Sequence, residues 1–317
     1  MAPGRVTARQ LWVVTESIHA VTYFAPACRG ALRDAGLRGF WDGYFAARAA
    51  PLGAVAAGPV VAAFYNFHPS MVQRAIPSCW RVTGPAELVV IRAAAAAAAR
   101  FDLVAPDVRS AMEATLPALR VVSAHCAADG RVMAGANRVV WPSVAVALGR
   151  RGLGARRAAM AELWQACTTV REHRGDGHAG ALLTHGLSGL EAHLLAAGTQ
   201  GLPPDVLRQN RGWSDHEWAG GTAVLVGRGL LHPDGRATEA GHRLRQSVEA
   251  MTDAMAEQPF APLSDAAIDA LYGVLVRGAA LIQASGVFPF PNPMGLPELP
   301  TLSDRSTSSA VPERPDR

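Results

Sequence analysis

The sequence predicts a mainly α protein, with a helical N-terminal half and a C-terminal half built on a winged helix-turn-helix that carries a short β-hairpin. Three observations predict it. Apolar residues recur at helical spacing over most of the chain. Prolines and glycines cut that pattern into pieces of helix length. Residues 202–244, LPPDVLRQNRGWSDHEWAGGTAVLVGRGLLHPDGRATEAGHRL, read as helix, tight turn, helix, hairpin, helix.

In chain order, residues 10–24 form the first helix: Leu11, Val14, Ile18 and Val21 share a face, and Pro26 lies just beyond. Residues 26–35 form a second, closed by Gly36, and 40–49 a third, ahead of Pro51. Two short helices, 60–67 and 69–76, are split at His68-Pro69, because a residue before proline is pushed out of the α region. Residues 85–101 carry the run Ala93 to Ala99, a strong helix former, and 106–129 read as one further helix. Residues 130–155 are the least patterned and read as a linker. An amphipathic helix over 156–174 has Met160, Leu163, Trp164 and Cys167 on one face. Helices at 177–184 and 189–197 lead into the helix-turn-helix.

Within that motif Pro203-Pro204 suit a helix start, Gly212 a left-handed stop, and Ser214 with Glu217 a capping box. Trp218, Ala223, Leu225, Val226 and Leu230 give the second helix an apolar face. Pro233-Asp234-Gly235 signals the hairpin turn, and Thr238 restarts a helix. Long helices close the fold over 238–257 and 264–284. Flanking helices around such a motif are the MarR-like arrangement, in which they interlock two subunits, so a homodimer is expected. The division is therefore 1–129 helical domain, 130–155 linker, 156–286 winged-helix domain and 287–317 disordered tail, the last from its proline, serine and charge content. No internal repeat of fixed period is evident.

Of 317 residues half are hydrophobic, enough to bury a large core, and the net charge is a modest +4. The chain has no lysine, which excludes Schiff-base chemistry and a Walker-type phosphate loop. Cys28, Cys79, Cys126 and Cys167 are too scattered for a zinc motif and read as buried thiols. The start, MAPGRVTARQ, lacks the apolar core of a signal peptide, and the least charged run, 49–64, is broken by Pro51 and Pro59. A cytoplasmic protein without a membrane partner is expected. No dinucleotide, nucleophile-elbow, metalloprotease or kinase motif is present, so no cofactor is expected.

Two clusters are candidates for chemistry. Residues 171–178, REHRGDGH, place six ionisable groups at an expected helix corner, with Gly175 ending one helix and Asp176 capping the next. Helix capping and ion pairing explain them without function. The functional alternative has Glu172, His173, Asp176 and His178 converge at a bend as an acid–base pair, or less favourably His173, Asp176 and His178 as a metal site, with Arg171 beside them. The second cluster is His19 and Tyr23 on one helix face, Tyr44 and Arg48 on another, and Tyr65 and His68 at a helix break. Polar groups on apolar helices suit a small-molecule pocket, although buried residues with satisfied polar tips would give the same pattern.

The blocks HAVTYFAP (19–26), GFWDGYFAARAAPLG (39–53), FYNFHPSMVQRAIP (64–77), VREHRGDGHAGAL (170–182) and RGWSDHEW (211–218) resemble the SalK-type helix-turn-helix family of actinobacteria over about residues 10–286. The resemblance implies a helix-turn-helix fold and a setting near natural-product biosynthesis; it supplies no reaction and no catalytic residues.

Three functions compete. A DNA-reading helix needs donors at its front, yet here stand Asp215, His216, Glu217 and Trp218, and carboxylates repel phosphate. This favours a winged-helix scaffold turned to small-molecule work, for example a biosynthetic cyclase, isomerase or hydrolase with His68, His173 or His178 as general acid or base and Arg48 or Arg171 holding an anionic oxygen. The alternative is a ligand-responsive regulator gripping DNA through Arg208, Arg211 and Arg236. An adaptor using Trp213 and Trp218 is the third.

Overall fold

The computed structural model describes residues 5–126, 128–292 and 294–300. Among them the fold is almost wholly helical. The first half comprises α1 (Ala8–Phe24), α2 (Pro26–Asp34), α3 (Gly39–Ala49), α4 (Ala57–Ala63), α5 (Pro69–Ala75), α6 (Pro85–Leu103), α7 (Pro106–Ala114) and α8 (Leu116–Ala124). Then follow α9 (Val132–Arg150), α10 (Ala155–Thr184), α11 (Gly189–Gln200), α12 (Pro204–Arg211), α13 (Asp215–Gly227), α14 (Glu239–Glu257) and α15 (Asp265–Ala284). Proline opens α2, α5, α6, α7 and α12, where the first turn needs no amide donor. The capping boxes of α11 and α13 are both formed, the latter by Ser214 and Glu217.

The winged hairpin is not there. Among the described residues no strand forms; Leu231 and Ala237 make one isolated antiparallel bridge around the Pro233-Asp234-Gly235 turn. Leu230 and Leu231 fold inward into a small apolar cluster, and the Ala237 amide donates to Gly198 O on α11 instead of extending a ladder. Too few residues remain on either side of the turn to pair, so the fold is a helix-turn-helix without a wing.

Four expected helix assignments also move. The helix expected over 60–67 lies at 57–63, and 64–67 form a turn before His68-Pro69. Residues 155–184 form one unbroken 30-residue helix, although Gly175 and Asp176 suggested a corner. The Asp176 carboxylate caps α9 instead, accepting from the Met133 and Ala134 amides at 3.0 and 2.9 Å. The expected helix over 106–129 divides at Thr115, just before Leu116-Pro117, since Pro117 cannot donate to the ladder. Residues 130–155 carry α9, whose Met133, Ala134, Asn137, Val144 and Leu148 are buried while Val132, Val139 and Val146 are exposed. By length and composition α9 could cross a membrane. Of the expected tail, residues 301–317 lie outside the described residues. Before them Phe288 packs on Phe24, and the Leu299 amide donates to Gln283 Oε1.

The chain also repeats itself, which the search for a fixed period misses. GALRDAGLRG at 30–39 and GALLTHGLSG at 180–189 share six residues in register. Both make the same Schellman stop: Leu37 N–H donates to Leu32 O and Gly36 N–H to Arg33 O, just as Leu187 donates to Leu182 O and Gly186 to Leu183 O. Gly36 and Gly186 take left-handed φ of 87° and 62°, which glycine adopts without strain. The same helices then follow in order: α3, α4, α5 and α6 in the first unit, α11, α12, α13 and α14 in the second. α6 and α14 are both 19 residues long. Insertions between helices spoil the fixed period.

α10 is the axis, packed against α1, α6, α8, α9 and α14. α15 packs on α1, α6 and α7 of the same chain. The two helix turns meet: the His68 amide donates to Arg211 O at 2.8 Å, and Gly212 lies against Met71.

Candidate functional site

Where the units meet, a cavity of about 290 Å³ opens between α1, α3, α10, α12, α14 and the segment 64–67. Its apolar wall is aromatic: Trp12, Tyr23, Trp41, Tyr44, Phe64 and Phe67. Six arginines also line it, Arg9, Arg48, Arg171, Arg174, Arg211 and Arg245. Among the described residues Arg9, Arg48, Arg171, Arg174 and Arg245 pair with the carboxylates Glu16, Glu172, Glu249 and Asp253. An adjoining hollow of about 170 Å³ shares Tyr23, Tyr44 and Arg48 and reaches His19, Arg92 and Trp164.

The centre of the network is Glu172, essentially buried on α10. It accepts two parallel bonds from Arg48 Nε and Nη2, each 3.0 Å, and an ion pair from Arg171 Nη1 at 2.9 Å. Arg171 Nε bonds Glu16 at 3.0 Å, and Arg48 Nη1 donates to the Tyr44 hydroxyl at 3.1 Å. Burial alone would raise the Glu172 pKa, but Arg171 and Arg48 outweigh it and hold the carboxylate below its usual range. Arg48 stacks 4.1 Å from the Phe64 ring centroid, and Arg211 4.6 Å from that of Phe67.

His19 and Tyr23, four residues apart on α1, form a second chain. Thr168 donates its proton to Trp164 O, so its oxygen accepts from His19 Nδ1–H at 2.8 Å. Nε2 is then the acceptor for the Tyr23 hydroxyl, also at 2.8 Å. Burial, followed by Arg171, keeps His19 neutral by lowering its pKa well below the usual value, while burial raises that of Tyr23. Tyr65 lines the cavity and donates to Leu187 O at 2.6 Å.

The four residues expected to carry acid–base chemistry do not come together. His68 caps α5, accepting from Ser70 N, and its Nε2 meets Glu217 on α13 at 2.9 Å. His173 is buried away from the cavity lining, and burial lowers its pKa to about 4. Asp176 is committed to the α9 cap; burial raises its pKa to about 6. His178 alone lines the cavity, bonded to Thr252 at 3.0 Å and lowered by burial to about 4. Among the described residues no three His, Cys, Asp or Glu side chains could hold a metal ion. The enzymatic reading is therefore corrected: His68 caps α5, while His173, Asp176 and His178, all on α10, serve packing, the α9 cap and a single hydrogen bond.

The arginines proposed to grip DNA are placed no better. Arg208 is ion-paired to Asp205 and Asp215, Arg211 stands in the cavity wall, and exposed Arg236 pairs with Asp234. Trp213 packs edge-on to the His68 ring at 4.9 Å, and Trp218 against the second unit's core, so neither is a fully exposed adaptor residue. Glu16, Arg174, Arg245 and Glu249 were not singled out from the sequence. Glu16 had a signal, being the lone carboxylate on an apolar helix; the other three needed the third dimension.

The model of a helix-turn-helix family matches residues 8–289. No curated protein and no solved structure matches the chain.

Proposed function

The chain belongs to this helix-turn-helix family, and on that premise we propose that it is a ligand-responsive, DNA-binding regulator. Membership replaces the biosynthetic-enzyme reading and its secondary-metabolism setting, neither of which any residue arrangement supports. Within the family we place it with the SalK-type proteins, on the blocks at 39–53 and 64–77 that also build the cavity wall. A cytoplasmic location goes with this reading.

One observation carries the proposal: the cavity wall and the leads into both helix-turn-helix second helices are the same residues. Tyr65, Asn66 and Phe67 line the cavity and run directly into His68 and α5; Asn210 and Arg211 line it and run into Gly212 and α13. A ligand that moves Phe67 or Arg211 thus acts on both turns at once, which is the differential contact that coupling requires. Aromatic walls and an excess of arginine over carboxylate suit a small aromatic anion.

The test is a titration of the full chain with benzoate, benzyl alcohol and benzylamine, read by tryptophan fluorescence, then repeated with duplex DNA present. Binding of the anion in preference to the other two, with a reciprocal change in DNA affinity, supports the reading. Equal indifference to all three, or anion binding that leaves DNA affinity unchanged, overturns it.

A further inference from the structure

We infer that the DNA-contacting face of this protein lies on the first unit, on α5 and the turn beside it, and not on α13. The inference rests on the regulator reading and assigns its nucleic-acid surface. α5 occupies in the first unit the place α13 holds in the second, the third helix after the Schellman stop. The two differ in what they show to solvent. α13 exposes Asp215, His216, Ala219, Gly220, Ala223 and Val224, without a single cation. α5 exposes Ser70, Gln73 and Arg74, which at spacings of three and four share one face, and all three can donate to bases or phosphates.

The charge follows the same division. Residues 25–84 contain six arginines and only Asp34 and Asp42; residues 185–238 contain four arginines and five carboxylates. Arg208, Arg228 and Arg236 of the second unit are each held in an ion pair. Among the described residues Arg33, Arg38, Arg74 and Arg81 are exposed and pair with no carboxylate. They are also gathered. Ser78 bonds back to Arg74 O and Ala75 O, joining the turn at 78–81 to α5. Thr83 bonds Ala35 O, and Val82 lies against Gly36, so the chain just after Arg81 runs beside the turn between Arg33 and Arg38. Polar donors on a helix face flanked by unpaired arginines are the electrostatic footprint of a duplex DNA contact. At the front of α13 Asp215 pairs with Arg208 and Glu217 with His68, so among the described residues that end presents carboxylates and no free cation.

The experiment is an anisotropy titration of the full chain against a labelled duplex of about 30 base pairs, drawn by selection from a random pool, at roughly 50 and 200 mM salt. Arg74→Ala should weaken binding about tenfold. The Arg38→Ala/Arg74→Ala/Arg81→Ala triple variant should flatten the salt dependence by roughly three phosphate contacts, while Arg236→Ala stays within about twofold. Circular dichroism of these surface variants should be unchanged. Tight binding that survives the triple variant but falls with Arg236→Ala moves the contact to the second unit, overturning this inference and leaving the regulator reading intact. No duplex binding by the unaltered chain overturns both. Equal affinity for heparin would mean a general polyanion surface and would also overturn it.

Discussion

Arg48 on α3 grips Glu172 on α10 through two parallel hydrogen bonds of 3.0 Å, tying the first unit's helix-turn-helix to the central helix of the molecule. Both side chains are almost entirely shielded, at 10% and 2% exposure. Removing one partner therefore strands a buried charge. Arg48→Met alone should cost about 3–5 kcal/mol of unfolding free energy, whereas Arg48→Met/Glu172→Leu should cost less than the two single changes together. Urea denaturation of the four proteins measures this, and strict additivity would show that the pair is not coupled.

Stability should fall as pH drops from about 6.5 to about 4. Burial depresses the folded-state pKa of His173 and His178 to about 4 and of His193 to about 3, and lowers that of His19 as well. Between these values and the unfolded value near 6.5 the unfolded chain binds more protons, so acid favours unfolding, by at most about 1.4 kcal/mol per pH unit for each group. Asp176, raised to about 6, works the other way: its proton stays longer in the folded state, so its contribution declines as pH rises through 3.8 to 6. The histidines outnumber it. Denaturation midpoints at pH 7.5, 6.5, 5.5 and 4.5 should therefore decline, and His178→Gln should make the decline shallower.

Gly189→Ala should destabilise by about 1–3 kcal/mol or more, because the added methyl meets the backbone carbonyl of Tyr65, which a helix and a cavity wall hold in place. Gly180→Ala, one turn before the Schellman stop and open to solvent, should be neutral or stabilising by up to about 1 kcal/mol. Thermal melts of the two variants decide it; equal shifts would mean that the segment at 65–66 yields freely.

His68→Ala should change stability by only about 1 kcal/mol, since its contact with Glu217 is partly open to water. Its effect should fall on coupling: a bound anion should no longer alter DNA affinity as it does in the unaltered chain. Parallel ligand and DNA titrations check this, and intact coupling in the variant would remove His68–Glu217 from the route.

Most helix starts and stops are legible in the residues themselves, α9 and the unbroken run of α10 excepted. Proline starts, glycine stops and the Ser214–Glu217 box act within a few residues of backbone, and local rules read them correctly. The sequence also pointed to part of the cavity: Tyr23, Tyr44, Arg48, Tyr65 and Arg171 stand out as polar groups among apolar ones, and all five line it. Contacts between distant elements settle the remainder. Whether Gly175-Asp176 makes a corner depends on α9, which takes the Asp176 carboxylate as its cap and lets α10 run on. Whether residues 230–238 make strands depends on α11, which claims the Ala237 amide and the space around Gly198. His68, His173, Asp176 and His178 were alike in sequence as titratable groups at breaks, yet His68 bonds Glu217, Asp176 caps α9, His178 bonds Thr252 and His173 is buried in the packing. A hydrogen bond made across 40 or 150 residues leaves no mark on local spacing, and those bonds chose between a corner and a helix, and between a catalytic cluster and four separate structural tasks.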